Sequence, residues 1–430
     1  MLFNNLTKVD GELAFCGKKV TDLTTKYGTP LMLLDIDKIR QRMREYLTAV
    51  KTCLTDNSSI SFASKALCFT GIYRICKEEN IGIDTVSAGE LYTALHAGFD
   101  VQKAFFHGNN KTDADIEYAI DNGLGYFVAD NIEEVEKIDA YAGQKGINQK
   151  ILLRITPGID PHTHTAINTG KVDSKFGTPI ETGQAIALVG KVLNYKNVTL
   201  VGFHSHIGSQ IFESSPFIFA GEIMLKFIKD VYDKFGYMVK ILNLGGGFGV
   251  KYVETDPEID YTKRIQELGD NLKRIATGLE IELPDIILEP GRSLVADAGI
   301  TLYTVGSVKE ITGYKNYVSI DGGMTDNPRY ALYQSSYTVL NATNIDKESD
   351  YLCTIAGRCC ESGDLIQENI KIPKPKRGDI IAVLCTGAYN YAMASNYNKI
   401  PRPPIVGLEN GEDKLLVKRE SFADLVKLDV

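Results

Sequence analysis

The sequence predicts an α/β chain built as a (βα)8, TIM-like barrel with a separate all-β domain, and three observations carry that prediction. Eight short, apolar, β-rich runs recur along the chain with helix-like segments between them. The first four end at Lys65, Ser87, Gly108 and Asp130, so successive ends lie 22, 21 and 22 residues apart, about the length of one strand-loop-helix unit. The runs are continuously apolar rather than alternating, as parallel strands buried on both faces must be.

Taken in order, residues 1–34 read as short strands and turns closing on the β-like PLMLLDI at 30–36, and a long polar helix is expected over 37–54. The barrel strands follow as ISFASK (60–65), IGIDTVS (81–87), KAFFHG (103–108), GYFVAD (125–130), ILLRITP (151–157), LVGFHSH (200–206), ILNLGGG (241–247) and DIILEPG (285–291). A helix is expected after each of the first seven. Beyond residue 298 the pattern changes to alternating or β-branched runs, TLYTVGSVKEI, NYVSIDGG, YLCTIAG and DIIAVLC, separated by turn residues. The expected division is a barrel over 35–298 and an all-β domain formed by 1–34 with 299–430.

Composition narrows the function. A chain of 430 residues exceeds the size at which one core stops growing, and 44% hydrophobic with 24% charged residues is ordinary globular material. A net charge of −8 offers no broad basic field, so neither nucleic acid nor an anionic membrane is an expected partner. No 18 apolar residues run together, and MLFNNLTKVDGELAFCG lacks the apolar core of a signal peptide, so a cytoplasmic protein is expected. The eight cysteines contain no C-x-x-C pair and read mostly as reduced, buried small residues. His162 with His164 and His204 with His206 form H-x-H pairs without acidic or thiolate partners at metal spacing, and no metal is expected.

In a barrel of this kind the C-terminal ends of the strands carry the chemistry. Here they supply Lys65, Ser87, His107, Asp130, Arg154, His206, Gly245 to Gly247, and Glu289 with Arg292. The triplet Gly245, Gly246, Gly247 fits neither G-x-G-x-x-G nor the Walker loop, which leaves two readings, a tight turn or a seat for phosphate. Lys65 is either a lysine reaching solvent or a nucleophilic amine activated by burial. Glu289 and Arg292 are either an ion pair or a carboxylate for a ring nitrogen beside a guanidinium for an anion. His206 is either a core histidine or a flat surface for a ring. Together lysine, carboxylate, imidazole and glycine cradle are the parts a protein needs to hold pyridoxal 5′-phosphate.

Longer motifs carry a resemblance over almost the whole chain. SFASKAL around Lys65, HGNNK from His107, TGKVDSKFG from Thr169, HSHIGSQ from His204, LNLGGGFG, LEPGR, DGGMTDNPRYALY from Asp321, CESGD from Cys360 and TGAYNYAMASNYN from Thr386 stand in the order of the fold-type III pyridoxal-phosphate decarboxylases, which the chain resembles. The resemblance implies that Lys65 holds the cofactor covalently, His206 stacks on its ring and Glu289 binds its ring nitrogen. It further implies that Ser209, Gly245, Gly246, Gly247, the turn Glu289, Pro290, Gly291, Arg292, and Tyr389 surround the phosphate end. Arg292, Arg329 and Tyr333 would bind the substrate's distal carboxylate and Glu361 its distal ammonium, with Tyr389 also among the substrate-binding residues. Cys360, or a group beside it, would be the general acid, entering with Glu361 from the partner subunit of a homodimer.

The implied reaction is decarboxylation of a small amino acid, meso-2,6-diaminopimelate, to L-lysine, the last step of lysine biosynthesis. Ser64 and Leu67 stand where many relatives have Leu and Asn, and GRCCESGD adds Cys359, read as a buried small residue. A sister decarboxylase of ornithine, lysine, arginine or carboxynorspermidine is the nearest alternative, and Arg329 with Tyr333 argues for a distal carboxylate instead. A non-catalytic homologue is opposed by the presence of Lys65 and Cys360. A racemase-like enzyme of the same fold is opposed by Glu289, where an arginine is expected.

Overall fold

The computed structural model describes residues 3–159 and 174–430. His162, His164 and the start of the motif at Thr169 lie outside the described residues. The chain forms two compact units, one of Arg42–Gly249 with Ile259–Gly291, the other of Met1–Gln41, Val250–Glu258 and Arg292–Val430. Residues 35–41, 250–258 and 292–298 therefore group with the β-rich unit.

The first unit is a closed barrel. Its strands are β1 (Ser59–Ala63), β2 (Gly82–Thr85), β3 (Ala104–Phe106), β4 (Tyr126–Ala129), β5 (Gln149–Thr156), β6 (Val198–His204), β7 (Ile241–Asn243) and β8 (Asp285–Leu288). Each pairs in parallel with the next, and β8 returns to β1, with Leu288 opposite Ile60. All eight expected strands are present. Their side chains are buried on both faces because helices cover the outside, which is why the runs do not alternate.

Helices Thr70–Glu78, Ala88–His96, Asp113–Asp121, Ile132–Lys145, Gln184–Val192, Ser215–Phe235 and Tyr261–Gly278 follow the first seven strands. Several start where a side chain satisfies an orphan amide: Ser87 accepts from Glu90 N, Asn131 from Glu134 N, and Thr112 with Asp115 forms a capping box. Ser87, a strand-end candidate from the sequence, thus serves as a helix cap. Gly146 and Gly236 stop two helices in the left-handed conformation that glycine adopts without strain.

In the second unit the long strand Gly299–Ile311 pairs antiparallel with Leu31–Asp35, Ile380–Leu384 and Lys315–Ile320, and Leu31–Asp35 pairs in parallel with Ile405–Glu409. Leu31, Leu33, Ile300, Leu302, Ala382, Leu384 and Val406 form its core, so the N-terminal strand returns to the later sheet as expected. Two expectations need correction. Residues 20–27 form a helix, Val20–Tyr27, where strands and turns were expected; only Val20 and Leu23 are buried in it, too few apolar positions to show a period. Of the cysteines only Cys76, Cys353 and Cys385 are buried; Cys359 is partly exposed because its loop lies at the surface, and Cys360 is exposed. Among the described residues no helix is long and apolar enough to cross a membrane.

Candidate active site

Lys65 occupies the 3-10 turn Ser64–Ala66 directly after β1. The turn is fixed from three sides: Asp84 Oδ1 accepts from Ser64 N at 2.8 Å, Leu67 N donates to Ser64 O at 3.1 Å, and Ala63 N donates to Pro290 O at 3.3 Å. Gly291 packs against it, since a Cβ there would stand 2.8 Å from Ala63 Cβ. Lys65 is exposed, whereas Ser64 and Ala66 on either side of it in the turn are buried.

The glycine run after β7 is demanded by backbone packing. Gly245 and Gly247 have φ of +67° and +127°, and a Cβ on Gly246 would collide with the Glu289 carbonyl. A Cβ on Gly245 would stand 2.7 Å from His206 Nδ1, and one on Gly247 would collide with the Gly208 carbonyl, next to Ser209. Glu289 N donates to Gly245 O at 2.8 Å, which ties this loop to the end of β8. Gly245 N–H is taken by Asn243 Oδ1 at 2.9 Å, whereas among the described residues nothing accepts from the amides of Gly246 and Gly247. The run is at once a turn and a source of two amide donors.

Glu289, buried at 6% exposure, is the electrostatic centre of the barrel end. Asn243 Nδ2 donates to its Oε1 at 2.6 Å, His204 Nε2 lies 3.2 Å from Oε2, and His107 Nε2 lies 2.8 Å from Oε1. Burial alone would raise its pKa, but the surrounding donors override burial and hold the carboxyl well below its ordinary range. The histidines move the other way: burial lowers His107, takes His204 to about 3, and puts His206 well below its ordinary value. The consistent state is a charged Glu289 receiving N–H bonds from Asn243 and a neutral His204, with the His107 ring beside it. Asp84 is pushed well above the carboxylate range, first by burial and then by the Glu289 charge, so two neighbouring carboxyls are driven apart.

The acidic partner missing from the H-x-H reading is thus Glu289, and the ligand atoms of His107, His204 and Glu289 lie within 4.8 Å of one another. Asn243 nevertheless aims an N–H at Oε1, with its amide orientation fixed by the Gly245 bond to Oδ1. That donor opposes a cation at the same oxygen.

The β-rich unit gathers the remaining candidates into two groups. Arg292 donates from Nη1 to Tyr252 Oη at 2.8 Å and its guanidinium lies 4.7 Å from the Tyr389 ring centre. Arg329, 6% exposed, donates to Tyr337 Oη at 3.0 Å and lies 5.0 Å from the ring centre of the same Tyr252. Tyr337 in turn donates to Asn390 Oδ1 at 3.1 Å. Tyr333 is half-buried at the end of the short helix Arg329–Tyr333, and Tyr389 holds a left-handed φ of +60°. Cys360 and Glu361 form the second group, on an exposed loop clamped by Asp364, whose carboxylate accepts from Met324 N at 2.6 Å and Cys359 N at 2.7 Å. Cys360 N donates to Asn398 Oδ1 at 2.8 Å.

Sequence reasoning missed His204, Asn243, Tyr252, Tyr337 and Asp364. His204, Asn243 and Asp364 were present only as flanking letters in HSHIGSQ, LNLGGGFG and CESGD, and Tyr252 and Tyr337 stood outside every motif.

These residues fit pyridoxal phosphate. A charged, donor-clamped carboxylate suits a protonated ring nitrogen, two unspent amides suit a phosphate, and an amine stands at the end of β1. Fold and site together define a barrel enzyme of the pyridoxal-binding class. Residues 36–296 match the family model described as "Pyridoxal-dependent decarboxylase, pyridoxal binding domain". Diaminopimelate decarboxylase of Bacillus subtilis (strain 168) is 44% identical over 420 residues, covering 98% of this chain and 95% of the relative. That of Bacillus methanolicus is 44% identical over 422 residues, 98% of each. Among solved structures, diaminopimelate decarboxylase from M. jannaschii in co-complex with L-lysine superposes with a TM-score of 0.92 at 33% identity, covering 100% of this chain and 98% of that one. The chain belongs to the pyridoxal-dependent decarboxylases, and among them to the diaminopimelate decarboxylases.

Proposed function

We propose that the chain decarboxylates meso-2,6-diaminopimelate to L-lysine with pyridoxal 5′-phosphate as cofactor, the last step of lysine biosynthesis. Arg329 carries the substrate reading. Its guanidinium is buried, and among the described residues no carboxylate pairs with it. A buried cation without a counter-ion favours an anionic ligand, and the carboxylate of the substrate's non-reacting end supplies one. A substrate ending in an amine alone would set like charges together.

Pyridoxal phosphate, when bound, supplies an electron sink for the bond that carbon dioxide leaves. Lys65 offers the amine that holds it, His206 a flat face, and Glu289 a charged partner for the ring nitrogen. Gly245, Gly246 and Gly247, with Ser209, the Pro290 to Arg292 turn and Tyr389, hold the phosphate end. Arg292, Arg329 and Tyr333 bind the distal carboxylate of the substrate and Glu361 its distal ammonium, with Tyr389 also among the substrate-binding residues. Cys360 delivers a proton to the α-carbon from its thiol. Cys360 and Glu361 are exposed on the isolated chain, which supports a two-fold homodimer in which each copy lends this loop to the other's site. The free cysteines suit a reducing, cytoplasmic setting.

Borohydride treatment of the cofactor-loaded protein, followed by peptide mass spectrometry, tests the reading. A pyridoxyl group on the peptide containing Lys65 is expected, and none in Lys65→Ala. Carbon dioxide release without any label on Lys65 defeats it.

A further inference from the structure

Two imidazoles beside Glu289 have no part in the reaction described above. His204 is 1% and His107 5% exposed, and their rings meet edge to face at 71° with centres 4.8 Å apart. His204 Nε2 bonds Glu289 Oε2 at 3.2 Å, while its Nδ1 is buried without a hydrogen-bond partner among the described residues. An ionised carboxylate only accepts, so the contact to Glu289 places the ring proton of His204 on Nε2. His107 Nε2 stands 2.8 Å from Oε1 but off the axis of a hydrogen bond, so it flanks the carboxylate and packs the His204 ring in place.

We propose that His107 and His204 are positioning residues that lock the Glu289 carboxylate in one orientation, leaving its unused lone pairs for the ring nitrogen of pyridoxal 5′-phosphate. The inference rests on the cofactor reading above. Each carboxylate oxygen has room for about two donors. Asn243 fills one place on Oε1 and His204 one on Oε2, so the plane of the group is set from both sides. Neutral donors suit this task better than lysine or arginine. A cation would neutralise Glu289, whereas an uncharged imidazole steadies the carboxylate and leaves its negative charge for the ring nitrogen.

The test measures equilibrium binding of pyridoxal 5′-phosphate, and of its 1-deaza analogue with carbon in place of the ring nitrogen, to the full-length apoprotein. His204→Leu should weaken binding of the cofactor roughly tenfold, the scale of one hydrogen bond to a charged group, and leave the analogue within about twofold. His204→Gln, whose amide nitrogen reaches the position of Nε2, should restore most of the loss. His107→Gln, measured alongside, should weaken the cofactor selectively, as His204→Leu does. Equal weakening of both compounds in either variant means a packing role and overturns the inference. Equal affinity of the wild-type protein for the two compounds overturns it as well, because Glu289 would then not read the ring nitrogen. A wild-type protein that binds neither compound defeats the cofactor reading itself, and this inference with it.

Discussion

Replacing Arg329 by methionine removes the guanidinium while keeping an apolar stem of similar length. The side chain has five N–H donors, of which only the one from Nη1 to Tyr337 is bonded among the described residues, so a fork remains for a carboxylate. Two charge-assisted bonds at about 1.5–3 kcal/mol each give about 3–6 kcal/mol, or roughly 10²- to 10⁴-fold in kcat/KM. The assay is steady-state release of carbon dioxide from meso-2,6-diaminopimelate at saturating cofactor. L-Lysine keeps the carboxylate of the non-reacting centre, so its affinity as a product inhibitor should fall in parallel. Arg329→Lys should recover only part of the loss, because an ammonium lacks the planar fork. A methionine variant within about threefold of wild type would refute the placement of the distal carboxylate at Arg329.

Two further predictions concern groups that hold the framework. Lys111 bonds Val128 O at 2.7 Å, Gly108 O at 3.0 Å and Glu134 Oε2 at 3.0 Å inside the barrel unit, and Glu134 keeps backbone donors from Lys111 and Asp130. Lys111→Met should therefore cost about 2–3 kcal/mol in denaturant unfolding, somewhat below the range for a buried pair broken outright, and Lys111→Met with Glu134→Gln should cost less. An unchanged midpoint for the single variant would contradict this. Asp326 is buried against the Tyr303 hydroxyl, and burial raises its carboxyl to about 7. Because the folded value lies above the ordinary 3.8, this stability is fully present below about pH 4 and is lost as pH rises through about 7. The difference sets an upper bound of about 4 kcal/mol, and Asp326→Asn should flatten the unfolding profile across that window. A wild-type profile with no such slope refutes the assignment.

The barrel was legible because its signal is local. Each strand is one unbroken apolar run and each helix restores the spacing, so eight repeats could be read without knowing any contact. Helix Val20–Tyr27 was not legible, since two buried positions do not make a period. At the site, strand ends identified Lys65, His206, the glycines and Glu289 by position alone. What the sequence could not display was which groups hold these residues in place. Asn243 bonds Glu289 across 46 residues and His204 bonds it across 85, so nothing in either neighbourhood announces the pair. Tyr252 follows the glycine run as an ordinary aromatic residue, and only folding shows it between Arg292 and Arg329. The exposure of Lys65 was likewise hidden, because it depends on the turn that Asp84 fixes.

The most direct test of the account is carbon dioxide release by the cofactor-loaded protein from meso-2,6-diaminopimelate, ornithine, arginine and L-lysine measured side by side. Recognition of a distal carboxylate at a buried arginine predicts that diaminopimelate is turned over at least about 10²-fold faster, by kcat/KM, than the other three. Comparable rates with ornithine or arginine, or no release from diaminopimelate, would contradict it.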